Sequence, residues 1–234
     1  MPANQDVHAL LAELFPTQPP ATIIELGSHY GTDTYKLRQA FPHARIIAFE
    51  PDPRNIYLAK HSQIHKIVEY VEAAVSDTDG TSIFHLSDGI PPGAPKAAAV
   101  SGWSQSSSLK KPDQVCKHFP WLKFERSAKV KTMRLDTYCS QHAVGVVDFL
   151  WADVQGAEDL LIAGAQETLK RTRYFFTEFS TDRLYEGELD AQGILARLPN
   201  PAQWEVMALW PGDILLKNLS FQDPPHTLVD TPEK

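Results

Sequence analysis

The sequence predicts a doubly wound, mostly parallel α/β sheet that ends in an antiparallel C-terminal hairpin. Three observations carry this. Short β-branched runs alternate with helical patterns through most of the 234 residues. The first run, in TIIELGSHYGTDTYKL (22–37), ends on a carboxylate and a glycine-containing turn that opens a helix. The last two runs, QWEVMAL and DILLKN, are joined by WPG, a hairpin turn.

Each element has a local reason. Val7, Leu10, Leu11 and Leu14 fall at helical spacing over 6–15, which suits a helix packed on the domain edge or, alternatively, a lid or dimer contact. ATIIEL (21–26) is a buried parallel strand between Pro20 and Gly27. A helix from Thr32 to about Phe41 follows, then a strand over 44–50. Asp52 and Pro53 have the N-cap and first-turn chemistry to start a helix over 52–62. KIVEYVEAAV (66–75) reads as a third strand, and 146–152 as a fourth, followed by a helix over 157–169. RYFFTEF (173–179) is a fifth strand, and a helix over 190–198 precedes the terminal hairpin. Residues 77–146 break this rhythm with turn-rich stretches, short strands near 81–86 and 129–133, and Trp103, Phe119 and Trp121, which imply packing. The expected organisation is a helix and arm over 1–20, a domain over 21–218 with a loop-rich insertion at about 77–146, and a poorly ordered tail over 219–234.

Composition narrows the function. The net charge of −7 and the absence of any basic stripe longer than Lys110–Lys111 argue against a nucleic-acid partner. A nucleic-acid amino-methylating site would place [DN]PP[FYW] after the fourth strand, but DPPH (223–226) lies in the tail. No run approaches about 18 apolar residues, so no membrane span is expected, and the N-terminus shows no secretory pattern. Cys116 and Cys139 form no metal or redox motif and read as reduced thiols of a cytoplasmic protein.

The first turn defines the ligand. A dinucleotide fingerprint would need glycines where this chain has Gly27, His29 and Thr32, and no GxxxxGK[ST] phosphate loop occurs. Glu25 beside the turn would repel a pyrophosphate. A cationic, phosphate-free nucleotide fits, and S-adenosylmethionine carries a sulfonium and an ammonium. Gly27 and Gly31 would let the backbone approach it, and Glu25 would favour its charge. Glu50, ending the second strand, can accept both ribose hydroxyls. Asp153, ending the fourth strand in DFLWADVQGAEDLLIAGA (148–165), would face the methyl group.

These motifs together resemble the FkbM family of S-adenosylmethionine-dependent methyltransferases. The resemblance runs from about Thr22 to Lys217. It includes IIELGSHYGTDT, IIAFEPDP, SSSL (106–109), VKTMRLDTY, DFLWADVQGAE, YFFTEFS with Glu178, and GDILLKN. It implies a class I methyltransferase fold, S-adenosylmethionine as donor, and a sugar or natural-product hydroxyl as small-molecule or glycan acceptor. It implies cofactor contacts at Glu25, Gly27, His29, Gly31, Thr32, Glu50 and Asp153, and acceptor contacts at Ser107, Ser108 and Glu178. The chain departs from the family pattern in three places. Glu25 stands where the family has Asp, His29 where it has Asn, and Trp151 where a Lys often precedes the fourth-strand acid.

A hydroxyl acceptor must lose its proton, so a base is expected among Asp153, His29, Glu178 and His85, with Asp153 and His29 foremost. A divalent ion on Asp153, Glu178 and Asp182 is an alternative that the pattern does not favour. His61 and His65 read as solvent-facing, and Trp151 as core. Ser106–Leu109 either close over the acceptor or form a self-satisfied turn, and Asp136 caps its own helix. A cofactor-binding module without chemistry is the alternative function, and homo-oligomers are possible.

Overall fold

The computed structural model describes residues 7–94 and 102–221. The expected disordered tail, with its DPPH tetrapeptide, falls mainly on 222–234, outside the described residues.

The seven-stranded sheet is built from β1 (Thr22–Leu26), β2 (Arg45–Phe49), β3 (Glu69–Val71), β7 (Val147–Ala152), β8 (Thr172–Glu178), β9 (Trp204–Trp210) and β10 (Asp213–Asn218). Its order is β3-β2-β1-β7-β8-β10-β9. All pairings are parallel except those of β10 with β8 and β9. This is the class I methyltransferase arrangement, as the sequence predicts. Crossing from β1 to β7 reverses the direction of winding, so the carboxyl ends of these two strands flank the switch point, where open sheets bind ligands.

Alternation along β1 explains the layers. Ile23 faces one core with Val7, Leu10 and Leu11 of α1 (Val7–Leu14) and Leu37 of α2 (Thr32–Ala40). Ile24 and Leu26 face the other, with Leu135 of α5 (Leu135–Gln141), Leu161 and Ile162 of α6 (Glu158–Gly164), and Ile194 of α8 (Ala191–Arg197). Helix α1 therefore packs on the sheet, as one of its two readings holds. In α3 (Pro53–His61), the Asp52 side chain accepts from the Arg54 amide at 2.9 Å and Pro53 occupies the first turn, as expected.

Four expectations need correction. KIVEYVEAAV is two strands: β3 joins the main sheet, while β4 (Ala74–Val75) pairs with β6 (Leu122–Met133) in a second sheet. The helix over 157–169 is broken into α6 and α7 (Gln166–Lys170). The break falls at Gly164, where a Cβ would lie 1.9 Å from the Ser76 carbonyl, so the helix and the end of β4 can approach only at glycine. The insertion is not mainly loop. Strand β5 (Gly80–Gly89) and β6 form a long antiparallel ribbon in a β4-β6-β5 sheet, and a short α4 (Val115–His118) precedes β6. Finally, Asp136 caps α7 rather than its own helix, accepting from the Glu167 and Thr168 amides at 3.1 and 2.7 Å.

Candidate active site

Glu25 is the penultimate residue of β1, and its register opposite Ala48 and Trp151 buries it in mid-sheet. Its Oε2 accepts from the Thr34 hydroxyl at 2.6 Å. Burial pushes its carboxyl up to about 8, against the lowering effect of Thr34.

The turn that follows is held to the neighbouring strand ends. The amides of Gly27 and Ser28 both donate to the Phe49 carbonyl at 2.9 Å, and the Asp153 amide donates to the Leu26 carbonyl. Gly27 has φ +90°, and a Cβ there would lie 2.0 Å from the Asp153 carbonyl oxygen. Gly31, at φ +78°, faces Ile64 and starts α2 without a side-chain cap. Both glycines admit close chain-to-chain approach, and Gly27 also lines the first cavity. Gly31 and the exposed Thr32 line no cavity described here. Thr34, buried one turn on, is the hydroxyl that engages the site.

Glu50 follows β2 directly and collects three donors. Its Oε2 accepts from the His29 amide at 2.7 Å, and its Oε1 from the Asp52 amide at 2.8 Å and Asn55 Nδ2 at 3.1 Å. Burial outweighs these donors and holds the carboxyl at about 8. His29, at φ +53°, stacks on Tyr30 with ring centroids 3.6 Å apart. Its Nε2 lies 2.8 Å from the Ser104 hydroxyl, which donates to Asn55 Oδ1 at 2.9 Å. Nε2 therefore carries the ring's hydrogen and Nδ1 keeps a lone pair. Burial lowers the imidazole to about 4, so it is neutral at pH 7.

Asp153 and Glu178 end β7 and β8 side by side. Gln155 Nε2 bridges them, donating to Asp153 Oδ1 at 2.6 Å and Glu178 Oε2 at 3.1 Å. Burial raises both carboxyls, Glu178 well above its ordinary range, and their mutual repulsion adds to the Glu178 shift. The two carboxyls are hydrogen-bonded to one another and titrate as a pair, with Glu178 the one pushed up further. Gln155 is fixed beneath by Tyr185, whose hydroxyl donates to the Ser106 carbonyl at 2.7 Å.

The serine loop has a structural task. Ser108, fully buried, donates to the Gln155 carbonyl and accepts from the Lys110 amide, and it lines neither cavity. Ser107 lines the first cavity, but its hydroxyl donates to Asp52 Oδ2 at 3.1 Å and accepts from Arg54 and the Ser87 amide. Ser107 thus ties the loop to the start of α3, and Ser108 ties it to the turn after β7. His85 pairs its backbone with Ser108 and lies outside the cavities. Asp182 is exposed and does not join Asp153 and Glu178, and no metal-binding group assembles among the described residues. His61 and His65 are exposed, as read. Trp151 is only partly buried: it packs against the core and also lines both cavities. Sequence reasoning missed Asn55, Ser104, Gln155 and Tyr185, which orient the charged groups.

These residues surround a cavity of about 190 Å³ that runs from Glu50 and Ala73–Val75 past Glu25 to Asp153 and Glu178. Among the described lining residues are five carboxylates, those of Glu25, Asp33, Glu50, Asp153 and Glu178, and no lysine or arginine. Burial keeps Glu25 and Glu50 protonated at neutral pH before a ligand binds, and a bound cation would favour their ionised forms where a phosphate would oppose them. A second cavity of about 550 Å³ shares Asp33, Trp151, Asp153 and Glu178 with it.

The pattern of the Methyltransferase FkbM domain matches residues 25–205. The chain belongs to the FkbM methyltransferase family. It is also similar to the 2-O-methyltransferase NoeI of Sinorhizobium fredii (strain NBRC 101917 / NGR234), at 35% identity over 218 residues, 91% of this chain and 85% of that protein. Among solved structures, cofactor-bound Rv0187 from MTB has a TM-score of 0.51 at 15% identity, covering 94% of this chain and 82% of that one. Methyltransferase FkbM from Methylobacillus flagellatus KT has a TM-score of 0.48 at 12% identity, covering 84% of this chain. This chain spans 43% of that protein's chain.

This FkbM protein is therefore an S-adenosylmethionine-dependent methyltransferase, and the chemistry of its cavity fits the donor. Glu50, oriented by three donors, retains lone pairs for a ribose diol, while buried Glu25 and Asp153 suit positive charge. Two outcomes follow from the geometry. Gly27→Ala must displace the Asp153 carbonyl and hold alanine at φ +90°. It is expected to cost about 3 kcal/mol, seen as a melting temperature lower by roughly 6–12 °C. The second concerns pH. Glu25 and Glu50 have folded values of about 8 against an ordinary 4.5, so the folded state keeps protons that the unfolded chain releases. Stability contributed by this retention is complete below about pH 4.5 and is lost as pH rises through 8. The donor-free FkbM methyltransferase should melt at progressively lower temperature from about pH 5 to pH 8, and saturating S-adenosylmethionine should flatten that slope. Differential scanning fluorimetry across this range checks both.

Proposed function

We propose that this FkbM methyltransferase methylates a hydroxyl group of a sugar or natural product, with Asp153 as the general base. Glu50 holds the donor's ribose, and Glu25 and the His29 turn hold its cationic part. When bound, the donor supplies an electrophilic methyl group on a sulfonium. The protein supplies position and a proton acceptor. The observation that carries this reading is the placement of Asp153 at the wall common to both cavities, with Gln155 donating both to it and to the neighbouring Glu178. An incoming hydroxyl that donates to Asp153 would pass its proton to the Asp153–Glu178 pair, and the bridging Gln155 would fix the carboxylate that receives it. Mutual alignment and exclusion of water then account for most of the acceleration. The name of the 2-O-methyltransferase relative supports oxygen as the methyl acceptor. The unpaired Cys116 and Cys139 support a reducing, cytoplasmic setting.

The test is transfer of labelled methyl from S-adenosylmethionine to a panel of hydroxylated, amino and thiol acceptors. Product methylated on oxygen upholds the reading. Product methylated only on nitrogen or sulfur overturns it.

A further inference from the structure

The second cavity has a build of its own. Side chains two residues apart on a strand share a face, and the register stacks two rows on the α1 side of the sheet. Trp151 lies opposite Phe176. One step toward the carboxyl ends of β7 and β8, Asp153 and Glu178 form the next row, and Asp213 of β10 stands directly opposite Glu178. An aromatic floor therefore carries a rim of three carboxylates; Val7 and His8 of α1 and Asp33, Lys36 and Ala40 of α2 form the facing wall, where Lys36 is committed to Asp33.

Asp213 is the informative member. It is only 7% exposed, yet no group among the described residues donates a hydrogen bond to its side chain. Its oxygens are not sealed in the protein but open onto the cavity, where a ligand's donors would reach them. Its neighbours on the rim are acids, so it is not held by a salt bridge. Asp33, at the other end of the cavity, is already paired with Lys36 at 2.7 Å and His8 at 3.3 Å. Uncompensated acceptor capacity is thus concentrated at the Asp213 end.

We propose that this second cavity is the acceptor subsite, that it takes a neutral sugar ring, and that Asp213 determines its specificity by accepting from a ring hydroxyl beside the one methylated. This rests on the oxygen-acceptor reading above. The C–H face of a pyranose lies on Trp151 and Phe176, and its hydroxyls supply the donors the rim lacks. The same rim rejects sugars that carry a carboxylate or a phosphate. The donor occupies the first cavity, and the shared wall at Trp151 and Asp153 brings the two reacting groups together.

The experiment uses the full chain saturated with S-adenosylhomocysteine. Saturation-transfer NMR measures binding of methyl glycosides of neutral hexoses and 6-deoxyhexoses, of methyl glucuronide and of glucose 6-phosphate. Calorimetry measures the donor in parallel. One or more neutral glycosides are expected to bind and the two anionic sugars to fail. Asp213→Asn should weaken the neutral sugar by about tenfold or more while leaving the donor constant unchanged, and Asp213→Glu should recover part of the loss. The unchanged donor constant also shows that the variant is folded. Three outcomes overturn the proposal: no neutral glycoside binds, an anionic sugar binds equally well, or Asp213→Asn weakens the donor instead, which would place the donor's own tail in this cavity. None of these decides the oxygen-acceptor reading, which stands or falls on the labelled-methyl screen.

Discussion

Replacing Glu50 by glutamine is expected to raise the dissociation constant for S-adenosylmethionine by about 100-fold or more. Hydrogen bonds to a carboxylate contribute about 1.5–3 kcal/mol each, and a ribose diol makes two. The substitution has a second cost. Both Glu50 oxygens already accept from protein donors, the His29 amide on one side and the Asp52 amide and Asn55 on the other. Whichever way glutamine turns, its NH₂ faces an N–H. The turn at His29, left-handed at φ +53°, then loses the bond that fixes it. Calorimetry on the two proteins reads the effect directly. An unchanged constant would move the adenosine away from the end of β2 and undo the assignment of the first cavity.

Asp153→Asn is expected to reduce kcat by about 10²–10⁴-fold, with a much smaller change in donor affinity. Asparagine keeps the shape and can still meet Gln155, but it cannot accept a proton. The pH profile separates this from a merely structural effect. Burial raises Asp153 from its ordinary range, and its hydrogen bonds with Gln155 and Glu178 oppose that rise. Wild-type kcat should therefore fall as pH drops through the protonation that removes the pair's last negative charge, and the variant should lose that limb. His29 is the rival base: it is neutral with a lone pair on Nδ1. A larger loss in His29→Asn than in Asp153→Asn would transfer the role to it.

Much of this was legible in the sequence. The central strands could be read because both faces of β1, β2, β7 and β8 are buried, which demands continuous apolar runs. The carboxylates at their ends, Glu25, Glu50, Asp153 and Glu178, could be located from those strands alone. The ribbon of β5 and β6 could not, because much of it is solvent-exposed and alternates weakly, with Ile83 51% exposed beside Thr81 and Ser82. The break in α6 depends on Ser76, which meets Gly164 only in three dimensions. Asp136 likewise caps a helix that is distant in sequence. The orienting residues, Asn55, Ser104, Gln155 and Tyr185, act through contacts with remote segments and carry no local signature. Asp213 belongs with them. DILLKN reads as a hairpin partner of QWEVMAL, and its pairing with the fifth strand, which sets Asp213 opposite Glu178, appears only in the structure.

The clamp around Ser107 bears on how this sequence can drift. Asp52, Arg54, Ser87 and Ser107 come from three separate segments, and each spends its polar atoms on the others. Fully buried Asp52 has its charge met by Arg54, and Arg54 reaches both serines. A change at one position strands a partner, so tolerated change must arrive in compensating sets. The start of α3 and the serine loop are consequently expected to be energetically coupled, although about fifty residues lie between them. Asp213 has no such ties among the described residues, so on the acceptor reading proposed above a change there can alter the second cavity without disturbing the clamp.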